Sequence, residues 1–277
     1  MRAIDVRHLG LEHVICCWQV GDVLVDPGPE SAAERLLDAL GDDRPRALLL
    51  THIHFDHAGA AGALVRRRPD VEVWVHERGA AHLADPARLV ASAKRLYGDD
   101  FDRLWGEVVP VPEANLRVLS GGEREAGWDV AYTPGHASHH VAYRHRDSGW
   151  VFAGDTCGVR LPPGGLLLPP TPPPDFDLDA WRSSLDAIEA WDPPVLAITH
   201  FGSYDDPGEH IERMRAALSH WSARAAELDR DGYAAELRAR MRAALDEHDA
   251  RAFAEAMPPA DQWLGIDRWL KRAGAER

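Results

Sequence analysis

A dense group of potential metal ligands near residue 50 constrains this chain more than any other feature. The stretch 51–57 reads THIHFDH. The run before it, RALLL at 46–50, is short and apolar, which is typical of a buried strand. The run after it, AGAAGAL at 58–64, indicates a helix packed closely on that strand. The stretch is therefore predicted to form a strand-to-helix loop at the carboxyl end of a strand, where open α/β sheets carry their functional residues.

Four side chains of this loop can bind metal ions. They are His52, His54, Asp56 and His57. Residues two apart in an extended segment point to the same side, so the first two histidines can bind one ion. The turn that follows directs the aspartate and the last histidine towards a second point. Imidazole and carboxylate ligands together suit zinc, iron or manganese and not calcium.

The run HIHFDH resembles the signature of the metallo-β-lactamase superfamily. Members of this family share an α/β fold, a four-layer αβ/βα sandwich with a one- or two-metal site along one edge. The resemblance implies three further ligands at the ends of later strands, in the order His, Asp and His. The matching positions are His136 in the turn TPGH, Asp155 after the strand VFAGD, and His200 after the strand LAITH. The match covers about residues 4–204.

This resemblance implies a dinuclear metal site. Its ligands would be His52, His54, Asp56, His57, His136, Asp155 and His200. Asp155 is expected to bridge two divalent ions, for which zinc is the first candidate and iron or manganese the alternatives. A hydroxide that bridges the ions would be the nucleophile, and Asp56 and Asp155 would be the catalytic residues. The expected activity is that of a metal-dependent hydrolase resembling glyoxalase II, acting on a thioester or another small ester.

Other activities use a similar site. The N-acyl-homoserine-lactone lactonases carry the same ligands, but they use a tyrosine shortly after the bridging aspartate, where this chain has Gly158. A lactonase or phosphodiesterase activity stays an alternative, as does an oxidoreductase that resembles the mononuclear-iron persulfide dioxygenases. A metal-binding protein without catalytic activity is disfavoured, because all seven ligand positions are filled.

The expected domain organisation adds helices to the family fold. Residues 1–206 are predicted to form the catalytic domain, and residues 207–277, rich in Ala, Arg and Glu, a C-terminal helical extension packed on it. Residues 77–106 are predicted to form a helical insert, either an ornament or a lid over the metals. The C-terminal helices could cap the pocket or form a homodimer interface.

Several segments outside the ligand motifs are open to specific predictions. Residues 108–112, 116–119 and 128–132 are predicted to be strands of the second sheet. The Pro- and Gly-rich loop 158–175 is expected to form a wall of the pocket. Within it Arg160 is a candidate contact for a substrate carboxylate, and Tyr204 is a second candidate substrate contact. Asp26, in the turn DPG, either supports the metal loop or only forms a turn.

Composition and charge limit the partners. The chain has 277 residues and a formal net charge of −14, which opposes binding to nucleic acid. Charged residues follow Met1 directly, so no signal peptide is expected, and no apolar run is long enough to cross a bilayer. The three cysteines do not suggest a disulfide framework. We therefore expect a cytoplasmic enzyme with a small-molecule substrate and no membrane partner.

Overall fold

The structure is a computed structural model that describes residues 1–161 and 165–275. It divides into two compact units, Met1–Glu123 and Arg124–Arg277. Each unit is built on its own six-stranded sheet. The C-terminal helices belong to the second unit, and the domain division predicted at residue 206 stays a prediction.

The first sheet contains six strands in the order β1-β2-β3-β4-β5-β6. They are β1 (Arg2–Asp5), β2 (Cys16–Val20), β3 (Val23–Val25), β4 (Ala47–Leu49), β5 (Glu72–His76) and β6 (Leu116–Leu119). The first three are antiparallel neighbours, whereas β3 to β6 run parallel. β4 is fully buried, as its continuous apolar sequence predicts for a parallel strand covered on both faces.

Six α-helices belong to the first unit. They are α1 (Ala33–Leu40), α2 (Phe55–Ala58), α3 (Ala61–Arg67), α4 (Glu77–Ala84), α5 (Ala87–Tyr97) and α6 (Phe101–Trp105). The last three form the predicted helical insert; its role as a lid stays a prediction. His76 caps α4, because its Nδ1 accepts a hydrogen bond from the backbone N–H of Arg78 at 3.3 Å.

The strand predictions for 108–119 need two corrections. Residues 108–112 form no strand: the backbone N–H of Val111 binds the carbonyl of Leu83 at 2.9 Å, and Pro110 and Pro112 have no N–H for a ladder. Residues 116–119 do form a strand, but β6 pairs in parallel with β5 and thus belongs to the first sheet. The third prediction is correct, because 128–132 is a strand of the second sheet.

The second sheet has the strand order β14-β13-β10-β9-β8-β7. Its strands are β7 (Arg124–Glu125), β8 (Trp128–Tyr132), β9 (Val141–His145), β10 (Val151–Phe152), β13 (Leu196–Ile198) and β14 (Gly202–Tyr204). β10 and β13 pair in parallel and the other neighbours are antiparallel. Two further strands, β11 (Val159–Arg160) and β12 (Leu167–Leu168), form a separate ribbon within the Pro-rich loop. Residues 162–164 of that loop lie outside the described part of the chain.

Among the described residues, the second unit contains five α-helices. They are α7 (Leu178–Glu189), α8 (Pro207–Glu227), α9 (Arg230–Ala244), α10 (Glu247–Ala256) and α11 (Pro259–Ala275). The helical extension predicted after residue 207 is thus present as four helices. Among the helices of the described residues, none combines the length and the apolar character that a membrane-spanning helix needs.

Candidate metal centre

In the first unit, the four candidate ligands lie directly after β4, as predicted. The chain is extended from residue 50 to His54 and then enters α2, which carries Asp56 and His57. Nε2 of His52 is 2.9 Å from Nδ1 of His54. Since zinc–nitrogen bonds are about 2.0–2.1 Å long, both nitrogens are close enough to bind one ion. Oδ2 of Asp56 and Nε2 of His57 lie 3.6 Å apart. These two atoms form a second pair of candidate metal-binding atoms.

Asp26 supports this loop, which decides between the two interpretations of the DPG turn. Its carboxylate is fully buried and accepts hydrogen bonds from the backbone N–H of Thr51 at 2.8 Å and from the Thr51 hydroxyl at 2.7 Å. It also accepts from Nδ1 of His57 at 2.8 Å. A carboxylate can only accept, so Nδ1 of His57 carries a proton, and in the neutral ring the lone pair lies on Nε2.

The same argument assigns the tautomer of His52. The hydroxyl of Thr51 gives its proton to Asp26, so its oxygen accepts from Nδ1 of His52, 3.1 Å away. The lone pair of His52 therefore lies on Nε2, the atom that faces His54. Histidines that bind metals are usually held in this way by a hydrogen bond at the other ring nitrogen. When these rings are neutral, the loop thus presents Nε2 of His52 and of His57 as the atoms that can bind a transition-metal ion.

In the second unit, three candidate ligands meet at one carboxylate. His136 follows β8, Asp155 follows β10 and His200 follows β13, again as predicted. Oδ2 of Asp155 lies 3.2 Å from Nε2 of His136, and Oδ1 lies 3.6 Å from Nε2 of His200. The Asp155 side chain is only 4% exposed. Each carboxylate oxygen thus faces a different histidine, which is the arrangement that a bridging carboxylate needs.

The TPGH turn that carries His136 fits tightly against α7. Gly135 has a φ of +130°, and a Cβ at this position would lie 2.4 Å from Cα of Trp181. The carbonyl of Gly135 accepts from the backbone N–H of Asp177 at 2.9 Å, and that of Pro134 accepts from the Ser184 hydroxyl at 2.6 Å. Only glycine permits this approach of backbone to backbone. The motif therefore fixes the direction from which His136 enters the site.

His136 has the same tautomer as His57. Its Nδ1 lies 2.8 Å from the carbonyl oxygen of Pro170. A carbonyl only accepts, so Nδ1 donates, and in the neutral ring the lone pair lies on Nε2, which faces Asp155. Sequence reasoning did not single out this carbonyl, because its position opposite the histidine depends on the path of the Pro-rich loop.

His140 is a further supporting residue that the sequence did not distinguish from its neighbours. It is fully buried, and its Nδ1 lies 2.9 Å from the hydroxyl of Thr133 and 3.2 Å from that of Thr156. Thr133 is the first residue of the TPGH turn, and Thr156 follows Asp155 directly. His140 therefore links the two loops that carry His136 and Asp155. Three histidines lie in 136–140, and only the burial of the third signals this role.

The candidate substrate contact Arg160 is held by side chains of its own unit. Its guanidinium forms two hydrogen bonds with Asp206, at 2.8 and 2.9 Å, and lies 4.0 Å from the ring centroid of Tyr204. Nη1 also donates to Nδ1 of His210 at 3.1 Å. This ion pair lowers the pKa of the Asp206 carboxyl. The hydroxyl of Tyr204 contacts the carbonyls of Arg160 and Phe201. Substrate binding by Arg160 and Tyr204 stays a prediction.

The histidine in this cluster makes a pH-dependent contribution to stability. Burial is the main reason that the pKa of His210 is lowered to about 4, and the nearby Arg160 acts in the same direction. Because the unfolded chain binds this proton near pH 6.5 and the folded chain does not, the contribution is complete above pH 6.5. As the pH falls from 6.5 to 4, this residue therefore lowers the free energy of unfolding by roughly 3 kcal/mol.

We expect the variant His210→Gln to show a weaker loss of unfolding free energy between pH 6.5 and 4 than the wild-type protein. Glutamine can accept from Arg160 and donate to the carbonyl of Cys157, as His210 does at 2.7 Å, but it does not titrate. The measurement is urea unfolding of metal-free protein across this pH range. Replacing the exposed His248 by glutamine serves as the control and should retain the wild-type pH dependence. An unchanged slope in His210→Gln would refute the assignment.

Comparison with known proteins identifies the family. The sequence model of the metallo-beta-lactamase superfamily matches residues 21–200, which is more than half of the chain. A hydroxyacylglutathione hydrolase of Hamiltonella defensa is 29% identical over 161 residues, which are 56% of this chain and 51% of that protein. The chain thus spans about half the length of this relative.

Comparison with solved structures shows the same fold. An archaeal metallo-beta-lactamase superfamily protein from Sulfolobus tokodaii superposes with a TM-score of 0.73 at 20% identity, covering 96% of this chain and 97% of that one. A second protein, solved in a di-iron-bound form, has a TM-score of 0.55 at 30% identity and covers 70% of this chain and 90% of its own. These likenesses confirm the predicted fold class. Since the family model covers most of the motif-bearing region, the chain belongs to the metallo-beta-lactamase superfamily.

Proposed function

We propose that the chain is a hydrolase that uses two divalent metal ions to cleave a thioester or another small ester. The proposed ligands are His52, His54 and His136 for one ion, and Asp56, His57 and His200 for the other, with Asp155 between them. The observation that carries the proposal is the buried carboxylate of Asp155, whose two oxygens face Nε2 atoms of different histidines at 3.2 and 3.6 Å.

The nitrogen and oxygen atoms of the proposed ligands suit divalent transition-metal ions. Both units offer histidine nitrogens and aspartate oxygens, a set that suits zinc, iron or manganese. The tautomers of His52, His57 and His136 are each set by a hydrogen bond at Nδ1. Zinc is our first choice, and the di-iron form of a relative at 30% identity keeps iron as the alternative.

The residues of the site have different proposed roles in the reaction. When bound, two divalent ions lower the pKa of a water between them and polarise the substrate carbonyl. The buried Asp155 would be a ligand of both ions and would supply negative charge to the site. Asp56, whose side chain is 20% exposed, is the carboxylate that can orient the attacking water and later accept its proton. Asp26 and Thr51 accept hydrogen bonds from Nδ1 of His57 and His52, so in the neutral rings the lone pair lies on Nε2.

A thioester is the preferred substrate because one of the matching relatives is named a hydroxyacylglutathione hydrolase, at 29% identity. The net charge of −14 favours a small molecule over a nucleic acid. Lactones and phosphodiesters stay alternative substrates, and the cytoplasmic location and the homodimer stay predictions.

The test is metal analysis of the purified protein combined with assays on thioesters, lactones and phosphodiesters, in air and without oxygen. We expect two metal ions per chain and thioester hydrolysis at the same rate under both conditions, because hydrolysis needs no electron acceptor. The variant His136→Ala should lose activity and bind less metal. One iron per chain together with strict dependence on dioxygen would instead support the persulfide dioxygenase alternative.

A further inference from the structure

The last helix of the chain, α11, is in direct contact with the segment that holds His136. Gln262 in this helix is buried, and its side-chain oxygen accepts a hydrogen bond from the backbone N–H of Thr171. The hydroxyl of Thr171 in turn donates to the backbone carbonyl of Gln262 at 2.8 Å. Thr171 itself is buried, so its backbone N–H and its hydroxyl cannot exchange these partners for water without a loss of stability. Two hydrogen bonds thus fasten one residue of the Pro-rich loop to one residue of the helix.

The packing of the helix against the loop leaves no space. Gly265 lies one turn after Gln262, and a Cβ on it would be 2.2 Å from the carbonyl oxygen of Thr171 and 2.8 Å from that of Pro172. Both contacts are with backbone, which cannot rotate away as a long side chain can. The position of the loop therefore depends on the absence of a side chain at Gly265.

The fastened segment reaches His136 through one peptide group. Pro170 precedes Thr171, and the Pro170 carbonyl accepts the hydrogen bond from Nδ1 of His136 at 2.8 Å. This carbonyl and the N–H of Thr171 belong to the same planar peptide unit. A movement of Thr171 must therefore move the acceptor that holds the imidazole ring and sets its tautomer.

A second route of contacts from the same helix also reaches the ring of His136. Nη2 of Arg272 donates to the carbonyl of Phe176 at 3.0 Å, and the ring of Trp269 packs on Phe176 with centroids 5.9 Å apart. Phe176 packs on Trp181 at 5.9 Å, and Trp181 packs on His136 at 5.6 Å. Both routes end on the same imidazole.

We propose that α11 positions the metal ligand His136, with Gln262 and Gly265 as positioning residues that act through Thr171 and Pro170. This inference rests on the proposed metal binding by His136. It gives the C-terminal extension a role in metal affinity, which the ligand motifs do not indicate.

The experiment disturbs the contact between α11 and the Pro-rich loop by substitution. Gly265→Ala adds one methyl group against the Thr171 carbonyl, and Gln262→Met keeps the side-chain length but removes the acceptor. Gly274→Ala is the matched control, because this glycine is exposed on the same helix and a Cβ there would meet no described atom within 4 Å. Metal affinity is measured by competition with a chelator. The tautomer of His136 is measured by ¹⁵N NMR of the imidazole, and the melting temperature of metal-free protein is recorded for every variant.

We expect Gly265→Ala and Gln262→Met to weaken binding of one metal ion by about tenfold or more, the effect typical of residues that orient a metal-binding histidine. The NMR signals of His136 should show loss of the pure Nδ1–H form, while Gly274→Ala matches the wild-type protein in all three measurements. A merely structural role of the helix would lower the melting temperature and leave the tautomer and the affinity of the folded fraction unchanged.

Other outcomes are equally decisive. If both variants fold and bind metal with wild-type affinity, the positioning role of α11 is wrong while the proposed function stands. If the wild-type protein binds no metal, or if His136→Ala binds it as tightly as the wild type, the proposed function fails first. Should Gly265→Ala not fold, Gln262→Met alone decides.

Discussion

Replacing Asp155 by alanine is expected to remove both metal ions and to lower kcat/KM by at least about 1000-fold. The reason is that the two oxygens of Asp155 face two different candidate ligands, His136 and His200. Losing the ions removes several kcal/mol of stabilisation of the transition state, and each 1.36 kcal/mol corresponds to about a tenfold change in rate. Metal content by elemental analysis and kcat/KM on the best substrate measure the two effects.

Two further variants make the Asp155 result specific. Asp147, an exposed aspartate of the same unit, provides the control: Asp147→Ala removes one negative charge without touching the site, and we expect wild-type metal content. Asp155→Asn keeps the volume but offers a single oxygen, so at most one ion should remain. If Asp155→Ala retains two metal ions per chain, the bridging role is incorrect.

The second large effect is expected at Asp26. This buried carboxylate accepts three hydrogen bonds, two from Thr51 and one from Nδ1 of His57. In Asp26→Asn the amide has one acceptor and one donor group, so its NH₂ would face the Nδ1–H of His57. We expect His57 to move its proton to Nε2, the atom that must bind the metal, and metal affinity to fall by about 10- to 100-fold. The variant should also lose about 3 kcal/mol of stability, since a hydrogen-bonded charge is removed from a buried site.

Asparagine is the appropriate substitution because Asp26 has a φ of +51°, which asparagine tolerates better than alanine does. The matched control is Asp22→Asn, since Asp22 is about half exposed and forms a surface ion pair with Arg46 at 2.7 Å. That change should cost less than about 1 kcal/mol and leave metal affinity unaltered. Chelator competition and urea unfolding give the two quantities. Wild-type metal affinity in Asp26→Asn would show that the hydrogen bond from Asp26 to His57 has no effect on metal binding.

The sequence by itself was sufficient for features that depend on neighbouring residues. The apolar run at 46–50 followed by small residues correctly predicted a buried strand and then a helix, because burial and packing distance are readable from side-chain size. The motifs ending in His136, Asp155 and His200 were placed after strands, and the structure has strands there. The family, the fold class and the C-terminal helices follow from the same local patterns.

Features that depend on distant partners could not be predicted. The sequence correctly predicts a strand at Leu116–Leu119 but places it in the wrong sheet, because the residues of one strand do not say which neighbour supplies the hydrogen bonds. The run at 108–112 was predicted as a strand from its valines, whereas the backbone of Val111 binds α4 instead. Local preference for extended structure is weak and depends on what the chain packs against.

The same limit applies to the candidate site. The types and order of the proposed ligands are written in the motifs, but the atoms that set their tautomers lie 31 residues from His57 and 34 residues from His136 in the chain. The sequence predicts Arg160 as a candidate contact for a substrate carboxylate, but only the fold shows that Asp206, 46 residues away, forms an ion pair with it. Hydrogen-bond partners are chosen by the path of the backbone in space. The sequence alone therefore determined which side chains this chain offers as metal ligands. The tertiary structure decided how the Asp26 carboxylate orients His57 and how the Pro170 carbonyl orients His136.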